Sequence, residues 1–153
     1  MLILAHHKTE VVMISNRKSA QSVSVQAGSA TIESRRELKY LGVILDDRLS
    51  FTSHVDYVCK KASGAIAALT RIMANADNRR LLASVSTSIV RYGFPAWQPG
   101  IKTEHNRAKL SSTHRLMCLR VASAYRTVSG AAICVIAGMV PLTLLLQEDA
   151  SCY

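Results

Sequence analysis

The stretch Leu38–Met73, LKYLGVILDDRLSFTSHVDYVCKKASGAIAALTRIM, decides the fold, because the hydrophobic period changes inside it. Lys39 to Leu45 (KYLGVIL) has the composition of a strand, with Gly42 in its middle. An interior strand glycine usually marks a bulge or a close approach of another group to the backbone. After Ser50 the period becomes helical: Val55, Val58, Cys59, Ala62, Ile66, Leu69, Ile72 and Met73 recur at three and four. Ser50 or Thr52 can cap the start of this helix, and Asn75 stands near its end.

The same division extends outward in both directions. Upstream, Thr9 to Ser15 (TEVVMIS) is a β-branched run and Ser22 to Gln26 (SVSVQ) alternates at period two. Ala27-Gly28-Ser29 reads as a turn, after which Ala30-Thr31-Ile32 resumes extended character. Downstream, Leu81, Leu82, Val85, Ile89 and Val90 write a second helix that closes at Gly93-Phe94-Pro95. Trp97-Gln98-Pro99-Gly100 reads as a turn-rich connector. A third helix spans about Thr103 to Tyr125, with Leu110, Met117, Val121 and Ala124 on its inner face, and short helices cover Ala131 to Ala137 and Leu142 to Glu148. Strands first and helices after predict an α+β chain: an antiparallel β-region, then an all-α bundle.

Composition narrows the function. The 153 residues are 49% hydrophobic with 7 Gly and 3 Pro, enough for a packed core, and at 5% aromatic that core is mainly aliphatic. Lys and Arg number 19 against 10 acidic residues, a net charge of +9. The surplus is unevenly placed. Residues 51–126 carry twelve basic and three acidic groups, a net +9, while residues 1–50 are at +2 and residues 127–153 at −2. A charge run is usually only a solvated face, but this imbalance exceeds what solubility needs and points to phosphate-backbone contact. Cys59, Cys118, Cys134 and Cys152 contain no CxxC pair, so spacing predicts neither a zinc module nor a disulfide framework, but reduced core thiols of an intracellular protein. No charged residue occurs between Arg126 and Glu148, a length that could span a bilayer, yet Gly130, Gly138 and Pro141 interrupt it and favour two short buried helices.

Candidate chemical motifs are few. Asp46-Asp47 at a strand end could hold divalent metal ions, but adjacent strand carboxylates face opposite ways, and a two-metal site needs a further carboxylate. Turn and helix-start chemistry is the more common use of such a pair. The neighbours His6-His7, and His54, His105 and His114, have no carboxylate or cysteine partner at ligand spacing, so no metal is expected. There is no phosphate-cradling glycine loop. Trp97 and Tyr92 read as anchors between helices rather than base-stacking platforms.

A series of segments then carries a resemblance: HHKTEVVMIS (His6 to Ser15), LKYLGVILDDRLSF (Leu38 to Phe51), His54-Val55 with Val58 and Lys61-Ala62-Ser63, IVRYGFPAW (Ile89 to Trp97), HRLMCLRVASAYRTVS (His114 to Ser129) and AGMVPLTLLLQE (Ala137 to Glu148). In this order they resemble the reverse transcriptase of insect-type non-LTR retrotransposons related to the jockey and R1 elements. The resemblance implies that residues 1–49 are the end of a polymerase palm, residues 50–126 its helical thumb, and residues 127–153 the start of the region beyond. KTEVVMIS is similar to the family's motif D, with Lys8 at its lysine, and KYLGV to motif E, the primer-grip hairpin, with Tyr40, Leu41 and Gly42 at the primer end. It implies a template–primer duplex as partner, held through Lys60, Lys61, Arg71, Arg79, Arg80, Arg107, Lys109, Arg115 and Arg120. It also implies that the catalytic aspartates and their Mg2+ ions belong to a part of the parent enzyme preceding Met1, so that this chain alone carries no polymerase activity, cofactor or small-molecule ligand. The alternatives are a small basic nucleic-acid-binding protein without enzymatic function and, third, a membrane-associated protein anchored by Val128 to Leu146.

Overall fold

The computed structural model describes residues 9–15, 22–28, 30–72 and 76–151, without the side chains of residues 72 and 76–80. Among the described residues five strands precede six α-helices: β1 (Val11–Val12), β2 (Ser24–Ala27), β3 (Ala30–Arg35), β4 (Glu37–Tyr40), β5 (Val43–Asp46), α1 (Thr52–Ile72), α2 (Ala76–Arg91), α3 (Phe94–Trp97), α4 (Glu104–Val121), α5 (Gly130–Ala137) and α6 (Leu142–Ser151). The α+β class expected from the change of period is the class observed. Within the β-region the antiparallel expectation holds for two hairpins but not throughout, since β1 pairs with β3 in parallel. The order in that three-stranded sheet is β1-β3-β2.

The segment KYLGVIL is not one strand. It turns at Leu41-Gly42, where φ is +46° and +86°, and β4 and β5 pair with Tyr40 opposite Val43. Two left-handed residues in a two-residue loop give the mirror-image turn whose twist matches the strands it joins. Glycine adopts that backbone freely and leucine does not, so the Asn-Gly signature of such turns is missing. The close approach expected at Gly42 is present: a Cβ there would lie 3.1 Å from a ring carbon of Tyr92.

Helix α1 begins where its periodicity predicts and buries Val55, Val58, Cys59, Ala62 and Ile66. Its cap is more elaborate than a single serine. The two carboxylate oxygens of Asp46 accept the backbone N–H groups of Ser50 (2.9 Å) and Phe51 (2.7 Å), and Ser50 Oγ accepts that of Thr52 (3.4 Å). The expected turn-rich connector is instead helical, α3 followed by a 3-10 turn over Gln98–Lys102. Helix α4 stops at Val121, short of the expected Tyr125. Ser123 takes φ +50° and the Ala124 N–H returns to the Leu119 carbonyl at 3.0 Å, a closure usually made by glycine.

The core is mainly helical and reaches back to the hairpin. Val43 of β5 packs in one cluster with Phe51, Val55 and Val58, with Val90, Phe94 and Trp97, and with Leu142 and Leu146 of α6. No single described helix is long and apolar enough to cross a membrane; α5 and α6, which carry the uncharged stretch, meet at 77°. By contrast β1 and β2 contribute no buried residue, and Met13, Ile14, Val23 and Val25 stay exposed. Local stability follows burial and contact density. Amide exchange followed by mass spectrometry should therefore be fastest in β1–β3 and slowest in α1, α2 and α4, with residues 50–126 better protected than residues 1–49. Equal protection in the two regions would mean that the sheet buries its own core.

Candidate nucleic-acid interface

The hairpin tip stands over a surface cleft of about 400 Å3 between α1 and α2, lined by Gly42, His54, Tyr57, Lys61, Ser88 and Tyr92 among others. Tyr40 and Leu41 are exposed at the tip, and Tyr92 holds it in place by donating its hydroxyl to the Leu41 carbonyl (3.2 Å). On the β4 side, Lys39 Nζ donates to Tyr57 Oη (3.0 Å) and lies 4.4 Å from the centre of the same ring. That hydrogen bond and the charge of Lys39, reinforced by Lys61, hold the Tyr57 phenol below its ordinary pKa against a small opposing effect of burial. Beneath the cleft His54 is a structural pin. Its Nδ1 accepts the Ile44 N–H (3.2 Å), its ring meets Trp97 edge-on at 5.3 Å, and burial pushes its pKa down to about 4, so it is neutral at physiological pH.

Lys61 connects the cleft to the outer face of α1. Lys60, Lys61, Gly64, Ala68 and Arg71 are all exposed and spaced at three and four, so they share one helical face. A Cβ added to Gly64 would meet nothing within 4 Å. Cations at both ends of a face that is bare in its middle allow a sugar–phosphate backbone to lie close. Lys60, Lys61 and Arg71 have no acidic partner among the described residues, and Arg120 is likewise exposed.

Other candidate cations are engaged within the chain. Lys109 pairs with Asp56 across α4 and α1, Arg107 with Glu104 one turn away, and Arg115 donates to the carbonyls of Arg126 and Val128. Arg126, Lys109 and Arg115 line a second cleft, of about 380 Å3, between α1 and α4. Lys8 lies outside the described residues, as do the side chains of Arg79 and Arg80. Sequence reasoning passed over Lys39, Tyr57 and Arg126. Tyr57 carried a signal, since it precedes Lys61 by one helical turn.

Asp46-Asp47 does not fit the catalytic Mg2+ ions implied for a polymerase. Asp46 is buried and both its oxygens are occupied as a cap, while the Asp47 backbone N–H donates to the Arg36 carbonyl (3.0 Å) in the hairpin ladder. Burial alone would raise the Asp46 pKa, but the hydrogen bonds from Ser50 and Phe51 outweigh it and hold the carboxyl below its ordinary value.

One expectation about the histidines is corrected. His114 does have cysteine partners: its Nδ1 lies 3.7 Å from Cys118 Sγ and 3.8 Å from Cys134 Sγ, and the two sulfurs are 4.0 Å apart. All three residues are buried. His114 and Cys118 are one turn apart on α4, a spacing visible in sequence, whereas Cys134 arrives from α5 after a chain reversal. Burial, and then the neighbouring Cys134, push the Cys118 thiol up to about 12.

The similarity to known proteins runs over most of the chain. It is 28% identical, over an alignment of 160 positions that covers 95% of its length, to a retrovirus-related Pol polyprotein from the type-1 retrotransposable element R1 of Nasonia vitripennis. It is 26% identical over 141 residues, 88% of its length, to a putative 115 kDa protein in the type-1 retrotransposable element R1DM of Drosophila melanogaster. An R1 Pol polyprotein of Bradysia coprophila is 24% identical over 90% of the chain. The chain is thus similar, over most of its length, to proteins of R1-type, non-LTR retrotransposons. It spans 47% of the Nasonia relative and 14% of the Drosophila and Bradysia ones. No family model matches this R1-like chain, and no solved structure does.

Proposed function

We propose that this R1-like protein works in RNA-templated DNA synthesis as part of a reverse transcriptase, its β4–β5 hairpin gripping the primer end and its helices holding the template–primer duplex. The observation that carries this reading is the continuity between the exposed cations of α1 and the cleft under the hairpin tip, through Lys61. Cations along one helical face contact phosphates and carry no base information, as a polymerase that copies any sequence requires. At the tip, Leu41 is exposed while Gly42 lies close against Tyr92, which fixes the position of the turn. Nucleotide transfer needs carboxylates holding two metal ions. With Asp46 committed to its cap, the chain alone is expected to incorporate no nucleotide in magnesium.

Fluorescence anisotropy on a labelled duplex with a recessed 3′ end tests the proposal. With about four phosphates neutralised, log K should fall with log salt at a slope of about −3.6 on B-DNA, with little sequence preference. A recessed 3′ end should bind more tightly than a blunt duplex. Equal affinity for both would remove the primer-grip role and leave a general nucleic-acid-binding protein. Salt-independent affinity, or none at low salt, would overturn the reading altogether.

A further inference from the structure

We propose that His114, Cys118 and Cys134 form a binding site for a zinc-class divalent cation that staples α4 to α5. The geometry is the first ground. A tetrahedral zinc with Zn–S of about 2.3 Å and Zn–N of about 2.0–2.1 Å has S···S edges near 3.8 Å and S···N edges near 3.6 Å. The three edges here are 4.0, 3.7 and 3.8 Å, close to those lengths. Because Cys118 Sγ lies nearly as near to Nε2 (4.0 Å) as to Nδ1, one cation reaches all three donors once the imidazole rotates to aim Nδ1 between the two sulfurs. The two sulfurs are about twice as far apart as in a disulfide.

The donors' surroundings supply the second ground. His114 is buried, and among the described residues its ring nitrogens meet only sulfur, whereas the other buried imidazole, His54, accepts a backbone N–H. A buried imidazole normally has a nitrogen or oxygen partner. Met139 Sδ lies 3.9 Å from Cys118 Sγ, a fourth soft atom beside the cluster. Two thiolates, an imidazole and a thioether select soft or borderline ions over magnesium or calcium. A cleft of about 250 Å3, lined by His114, Arg115, Gly130, Cys134 and Pro141 among others, leads from the surface to two of the three ligands.

On binding, each thiol gives its proton to solvent as its sulfur bonds to the metal. The divalent charge and the two thiolates cancel, so the loaded site is neutral and compatible with burial. The staple would lie where the apolar contact between α4 and α5 is small, a cluster of Cys118, Leu119, Ile133 and Cys134 bordered by alanines, Val128 and Met139. This inference does not depend on the duplex reading and is tested separately from it.

The full chain, purified with reductant and chelator and then freed of chelator, is titrated with Co2+ as a spectroscopic stand-in. One equivalent should produce the visible d–d bands of tetrahedral cobalt and a near-ultraviolet thiolate charge-transfer band, both abolished by zinc. The bands should persist in the Cys59→Ala, Cys152→Ala double variant, which keeps only the two cluster thiols, and disappear in Cys118→Ser with Cys134→Ser. Should the latter variant fail to fold, X-ray absorption of the zinc-loaded wild-type chain still decides. Sulfur at about 2.3 Å with nitrogen at about 2.0–2.1 Å supports the site, and a shell of oxygen and nitrogen alone refutes it. No bands at all, bands that survive loss of Cys118 and Cys134, or bands lost with Cys59 and Cys152 would equally overturn the proposal.

Discussion

Trp97→Ala should cost about 3–5 kcal/mol of folding stability, as removal of a large buried aromatic does. Trp97 is fully buried where the hairpin, α1 and the α3 turn converge. Its indole packs edge-on against Phe94 at 4.9 Å and against His54 at 5.3 Å, and its Nε1–H donates to the Tyr92 carbonyl at 3.1 Å. The substitution therefore opens a cavity, removes two aromatic contacts of about 0.5–1.5 kcal/mol each, and leaves a carbonyl without its donor. Against a typical total of about 5–15 kcal/mol, that is a large fraction. Urea unfolding followed by circular dichroism would measure it, and Trp97→Phe, which keeps a ring in the site, should lose clearly less. A loss under about 1 kcal/mol for Trp97→Ala would mean that the core is organised around other residues.

Asp46→Ala should cost about 3 kcal/mol, and Asp46→Asn about 2 kcal/mol, because a charged acceptor of two backbone N–H groups is lost or weakened at a helix start. The turn it closes is strained, with Leu49 at φ +52° and Phe51 at φ +57°. The sign of the pH effect follows from the shift. The folded-state carboxyl is held below its ordinary value of 3.8, so its contribution is complete above that value and is lost as pH falls through the lower folded value. In the wild-type chain this adds to the loss of stability below about pH 4; in Asp46→Asn that part of the acid limb should flatten. Wild-type-like stability in Asp46→Asn, with an unchanged acid limb, would show that the cap contributes little.

The helical half of the fold was legible because one physical rule dominates it. Val55, Val58, Cys59, Ala62 and Ile66 are buried in α1 where a period of three and four puts them. The hairpin was harder to read, since a leucine occupies a left-handed position that usually carries asparagine or glycine. The end of α4 was hidden for the same reason, with serine where glycine is the usual stop. The positions of the cations were legible, but not which of them are paired within the chain. The pairings of Lys109 with Asp56 and Arg91 with Asp149 join positions 53 and 58 apart in the chain, so counting cations overstated how many remain available for phosphate. The sulfur–imidazole cluster was half visible, as His114 and Cys118 one turn apart, and its third member is contributed by the reversal between α4 and α5.

The central claim is that the exposed cations of α1 hold a nucleic-acid backbone. The most direct test is the salt dependence of duplex affinity in Lys60→Ala/Lys61→Ala/Arg71→Ala, compared with Arg107→Ala/Lys109→Ala, whose cations are already paired within the chain. The account predicts that the triple variant's slope of log K against log salt shrinks by about 0.9 for each contact removed, equally on unrelated sequences, while the double variant's slope changes little. An unchanged slope in the triple variant, or an equal change in the double variant, would contradict it.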